Sequence, residues 1–158
     1  ILATFLFLFG NVQCYNNGAN YVAKNIFGGK PNDPDGVYDA GISYYQMLML
    51  FLTLSQFFFS LFNTKLINKI GFMWSWILAN ICQSFACILL FLIPSKELLF
   101  VPYILAGFTG CVVGSVPYAY VSLNAPREKS GEYITLLILT FNISSILSNF
   151  ILQMKKLI

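Results

Sequence analysis

Histidine is absent from the 158-residue chain. Its absence removes the commonest general base, a frequent zinc ligand and the side chain that titrates near neutral pH. Charge is scarce too: 9% of residues are Asp, Glu, Lys or Arg, where a soluble domain carries about 25%. Against 58% hydrophobic residues, so few polar groups cannot cover a soluble surface, and a soluble single domain is excluded. Intrinsic disorder is excluded by the same composition. A net charge of +3 lacks the basic excess of a nucleic-acid binder. Cys14, Cys82, Cys87 and Cys111 lie in apolar stretches, and no two are spaced Cys-x-x-Cys. Neither a disulfide framework nor a metal site is indicated; the thiols read as small hydrophobes. There is no nucleophile–base pair, metal-ligand spacing or phosphate loop, so neither an enzyme nor a cofactor is expected.

What is present is a series of long uncharged runs. Residues 40–64, 70–95, 98–126 and 133–154 contain no Asp, Glu, Lys or Arg. A membrane-spanning helix needs about 20 mostly apolar residues. Five spans are therefore expected, at about 1–23, 41–62, 71–93, 99–122 and 133–153. The runs are continuous, as in Met47-Leu48-Met49-Leu50-Phe51-Leu52, which excludes the alternation of an outer-membrane barrel. Helices are the remaining way to satisfy the backbone in lipid. The fold class is an all-α, polytopic transmembrane helix bundle, treated as one domain over 1–158. The membrane is the plasma membrane or that of an organelle.

The connections are short. The longest, 24–39, carries Gly28, Gly29, Pro31, Asn32, Pro34 and Gly36, which is turn chemistry. Phe72, Trp74 and Trp76 stand where a span begins and read as interfacial anchors. Basic residues divide almost evenly between the two sides, and we place 63–70 and 123–132 in the cytosol. Ile1–Phe9 is already membrane-like, so the chain reads as part of a longer one; a signal peptide is the competing reading, without its basic n-region or cleavage site.

No ionisable residue falls at the centre of a span, where one would mark an ion or proton relay. Asp39, at a span's mouth, is the nearest coupling candidate, with a helix N-cap as the plainer reading. The first span places Gln13, Asn16, Asn17 and Asn20 on one helix face by their i, i+3, i+4, i+7 spacing. Amides are costly in hydrocarbon and must meet protein or water. Four together suit a substrate rich in hydroxyls, with Tyr15 and Tyr21 as stacking surface; interhelical hydrogen bonding is the alternative. Gly107, Gly110, Gly114 and Pro117 mark a helix with a close-packing face and a hinge. Ser55, Gln56, Asn80, Gln83, Ser84, Asn142, Ser144 and Ser145 are lesser lining candidates.

Leu66-Ile67-Asn68-Lys69-Ile70-Gly71 resembles, in degenerate form, the loop motif between the second and third helices of each half of major-facilitator transporters. Tyr38-Asp39-Ala40-Gly41-Ile42 and Ser115-Val116-Pro117-Tyr118-Ala119-Tyr120-Val121-Ser122 are similar to the eighth- and tenth-helix segments of the sucrose transporter family, which belongs with the glycoside–pentoside–hexuronide cation symporters. Gly107, Ser130-Gly131 and Asn142 keep that family's spacing. Ser43 stands where the family has Arg, and Tyr133, Thr135 and Leu139 replace family glycines. The resemblance implies helices seven to eleven of a twelve-helix, alternating-access transporter for a sugar or similar hydroxylated solute, coupled to protons. The partners expected are that solute, the proton and the lipid bilayer, with no nucleic acid. The competing reading is a non-catalytic structural subunit of a membrane complex.

Overall fold

The structure is a computed structural model that describes residues 17–32, 34–92 and 95–157. Among these residues every regular element is helical. Helix α1 (17–26) ends in a π-helical turn at Val22–Ile26. Val37–Leu92 is helical throughout except at Gly71, whose φ of 82° and ψ of 165° break it. Its arms are α2 (37–70) and α3 (72–92). After a short turn at Lys96–Leu98 comes α4 (Phe100–Asn124). A second turn, Arg127–Lys129, leads into α5 (Ser130–Leu157).

Among the described residues, three stretches are long and apolar enough to cross a membrane: Val37–Leu90, Lys96–Asn124 and Arg127–Ile151. Unbroken, the first would reach about 80 Å at ~1.5 Å per residue, far beyond the ~30 Å hydrocarbon core. The break at Gly71 resolves this. Its φ lies in the left-handed region, which glycine enters without the Cβ clash other residues meet.

The chain divides into two compact units, 19–116 and 1–18 with 117–158. In the first, Ser55 donates to the Ile104 carbonyl and Asn63 to the Ser115 hydroxyl, so α2 and α4 run parallel. Thr109 donates to the Ala79 carbonyl. Phe72 and Trp76 pack on a cluster of Ala79, Val112 and Val116, so α3 runs antiparallel to both. The arms of Val37–Leu92 thus fold back on each other at Gly71. Helix α1 joins them through Ala23, whose Cα would lie 2.6 Å from a Cβ added at Gly41.

In the second unit, Tyr118 stacks on Phe141 with ring centroids 5.9 Å apart. Leu137, Thr140, Ser144 and Ser148 form the buried face of α5. Thr140 and Ser144 each return their hydroxyl to the carbonyl four residues back, Leu136 and Thr140.

Several expectations are corrected. Residues 63–70, read as a connection, are helical. Lys65 and Lys69 are exposed there: a charge can end an apolar run while leaving the backbone helical, because its long stem reaches solvent. Phe72 and Trp76 are not interfacial anchors but pack inward on the α4 cluster. Trp74 alone of the three points out, at 66% exposure. Residues two apart on a helix lie about 200° apart, so Trp74 and Trp76 cannot share a face.

Candidate functional site

Of the four amides, Gln13 and Asn16 lie outside the described residues, as does Tyr15. Asn17 and Asn20 are both exposed. The Asn20 Oδ1 accepts a 2.6 Å hydrogen bond from the Tyr38 hydroxyl. Tyr38 belongs to the first turn of α2 and precedes Asp39, so Asn20 stands at the level where α2 begins. Tyr21 is not left as a stacking surface at its tip: its hydroxyl donates to the Leu90 carbonyl at 3.0 Å.

Asp39 is exposed and lies inside the first turn of α2. It is not the N-cap, because the Ala40 N–H donates to the Gly36 carbonyl at 3.0 Å, which starts the helix before it. In that turn the carboxylate still meets the favourable positive end of the helix dipole.

The same end is tied by aromatic groups. The Phe27 and Tyr44 ring centroids are 5.4 Å apart, and those of Tyr44 and Phe100 are 5.8 Å apart. The Lys96 ammonium sits 4.2 Å from the Phe27 ring centroid, a cation–π contact. The Tyr44 hydroxyl donates to the Lys96 carbonyl at 2.5 Å. The connection after α1, the start of α2 and the turn before α4 are therefore joined by side chains.

Deeper in the unit, a polar seam runs between α2 and α4. Ser55 donates to the Ile104 carbonyl at 2.7 Å. Asn63 donates to the Ser115 hydroxyl at 2.5 Å, and Ser115 donates on to the Cys111 carbonyl at 2.8 Å. Between them the backbones come close. A Cβ on Gly107 would lie 2.6 Å from both the Leu52 carbonyl oxygen and the Ser55 hydroxyl. One on Gly110 would lie 3.3 Å from the Gln56 Oε1. Gly114, on the same face, has open space among the described residues. The helix remains helical through Pro117.

The lesser candidates mostly spend their hydrogen bonds along their own helix. Asn80 donates to the Trp76 carbonyl, Ser84 to the Asn80 carbonyl and Gln83 to the Cys87 sulfur. Asn142 is exposed on α5, where Ser144 is buried and Ser145 half-buried. The sequence patterns do not single out Asn63, Ser115 and Thr109 as site residues. Asn63 stands seven residues after Gln56 and eight after Ser55, which puts it on their face; ending the span at 62 hid that spacing. Among the described residues no three of Cys, Asp and Glu gather as a metal site.

Long apolar helices joined by interhelical hydrogen bonds, with charge confined to their ends, define a multi-pass integral membrane protein. The family model of the Major Facilitator Superfamily matches residues 1–153. The chain belongs to this superfamily of membrane transporters, whose members move small solutes across a lipid bilayer. No curated protein and no solved structure matches it.

Proposed function

We propose that the protein is a secondary transporter that moves a sugar, or a similar hydroxylated solute, by alternating access and in symport with protons. The observation that carries this reading is the Tyr38–Asn20 hydrogen bond. It links the last amide of the Gln13, Asn16, Asn17, Asn20 row to the turn that carries Asp39. In this proposal the amides read solute hydroxyls, since each offers two donors and an acceptor. Asp39 is the coupling carboxylate, taking up a proton where solute enters. When the mouth is occupied, solute hydroxyls compete with Tyr38 for the Asn20 carbonyl, so arrival of the solute is felt at the turn beside Asp39. Spans at about 1–23, 41–62, 71–93, 99–122 and 133–153 complete the proposed topology, with the helical end of α2 at 63–70 and residues 123–132 in the cytosol. Residues 24–40 then face the outside or a lumen. The resemblance to sucrose transporters supports sugar as the solute class.

The test is uptake of labelled sucrose, and of a panel of other sugars, by vesicles containing the full-length protein, with and without an inward proton gradient. Gradient-driven uptake that is lost in Asn16→Ala/Asn20→Ala supports both the solute class and the amide row. Uptake that survives in Asp39→Asn with its gradient dependence intact removes Asp39 from coupling. Absence of uptake for every sugar overturns the sugar reading.

A further inference from the structure

The outer surface near the Gly71 break holds a groove of about 510 Å³ lined by Ile70, Trp74, Ile77, Leu78 and Ile81. Every lining side chain is a hydrocarbon or an indole. At about 100° per residue, Trp74, Ile77, Leu78 and Ile81 share one face of α3. Phe72, Trp76 and Ala79, which pack toward α4, occupy the opposite face. The groove therefore points away from α4.

Two cations stand at the same end of the helical pair. Lys65 and Lys69 are one turn apart at the end of α2, and Lys69 adjoins the groove residue Ile70. Both are exposed. Neither makes an ion pair among the described residues, and residues 40–95 contain no acidic side chain. Trp74, in the first turn of α3, is 66% exposed and sits at the same end. Indoles with one apolar and one hydrogen-bonding edge favour the headgroup level of a bilayer. An apolar trough at the same end as two ammonium groups, neither ion-paired among the described residues, matches one amphiphile in particular: a hydrocarbon chain ending in a phosphate.

We propose that this surface is a binding site for an anionic phospholipid. One acyl chain lies along Trp74, Ile77 and Ile81, and the phosphate meets Lys65 and Lys69. The neutral groove sets position; the lysines select net negative headgroups over zwitterionic ones.

The experiment uses the full-length protein in mild detergent. Retained lipid is counted by native mass spectrometry while phosphatidylglycerol or phosphatidylcholine is added. Two surface lysines acting on an anionic headgroup should favour phosphatidylglycerol by about 30-fold. Lys65→Gln/Lys69→Gln should abolish that preference while leaving thermal unfolding unchanged, since neither lysine has an ion-pair partner among the described residues. Lys30→Gln, an exposed lysine in the 24–39 connection, should keep it. Trp74→Ala should weaken both lipids alike. Glycerol phosphate, which has the anion without the chain, should compete poorly. Equal retention of the two lipids, unchanged preference in the double-lysine variant, or full competition by glycerol phosphate would overturn the proposal. So would a shift from dimer to monomer in Trp74→Ala with lipid binding intact, which would assign the groove to a second copy of the chain.

Discussion

On its α2 side, helix α4 presents Gly107 and receives hydrogen bonds from Ser55 and Asn63. On its α3 side, it presents Val112 and Val116 to Ala79, Phe72 and Trp76, with a bond from Thr109 to the Ala79 carbonyl. The difference follows from connectivity. Helix α3 is tied to α4 by the brief turn around Lys96–Leu98, so it is delivered to its place by the chain. Helices α2 and α4 run parallel, and their bonded residues lie 49 and 52 positions apart. No short connection can bring them together. In a bilayer, apolar side chains gain little by leaving lipid for protein, so packing and hydrogen bonds must choose the partner. The contact that the chain does not enforce is the one that carries the close approach and the polar seam.

The strongest way to break this comparison is to fill the close approach. Gly107→Leu drives a side chain into the Leu52 carbonyl oxygen, a backbone atom that cannot swing aside. We expect a loss of about 3 kcal/mol or failure to fold. Gly114→Leu, on the same face but with open space among the described residues, should change stability by less than about 0.5 kcal/mol. Thermal unfolding of the full-length protein in detergent measures both. Equal effects would mean that the α2 contact is not set by backbone proximity.

A core deletion on the other side should cost less. Val112→Ala removes two methyl groups from a fully buried position in the α3 cluster. The expected loss is about 2 kcal/mol. Because α3 is held by its connections, the variant should keep its helix order, read by cysteine crosslinking between α3 and α4.

Much of this architecture was readable from charge alone. The uncharged runs marked the apolar helices, because an ionised group is costly in hydrocarbon. They did not mark where the helices end. Lys65 and Lys69 closed a run, yet α2 continues to 70, since helix geometry is indifferent to what a solvated stem carries. Gly71 reads as part of a loop motif, but its positive φ is a property of the fold-back. The spacing of Gly107, Gly110 and Gly114 gave a shared face; only the position of Leu52 and Ser55 shows which of them touches α2. The Tyr38–Asn20 bond spans 18 residues across a connection rich in Gly and Pro, and no periodicity rule reaches across such a turn.

The seam itself is tested by a double-mutant cycle. Ser115→Ala leaves the Asn63 amide without the hydroxyl it donates to, on a residue whose Oδ1 is already buried without a partner among the described residues. A loss of about 1–2 kcal/mol is expected. Asn63→Leu/Ser115→Ala replaces both partners by apolar groups and should recover most of it, because no buried amide remains to be satisfied. Strictly additive effects would show that the two residues do not act as a pair.

The smallest effect is expected at the Thr109 link on the α3 side. The Thr109 hydroxyl lies 3.0 Å from the Ala79 carbonyl and 3.3 Å from the Leu105 carbonyl of its own helix. Thr109→Val keeps the shape and removes the donor. The Ala79 carbonyl still accepts its own helix's backbone bond, so no acceptor is orphaned. Measured interhelical hydrogen bonds of this kind in membranes average about 0.6 kcal/mol, and we expect that loss. Compared with Ser115→Ala in the same unfolding assay, the ratio decides the comparison. If Thr109→Val costs as much as the seam, α3 is held to α4 by polar selection too, and connectivity is not what separates the two contacts.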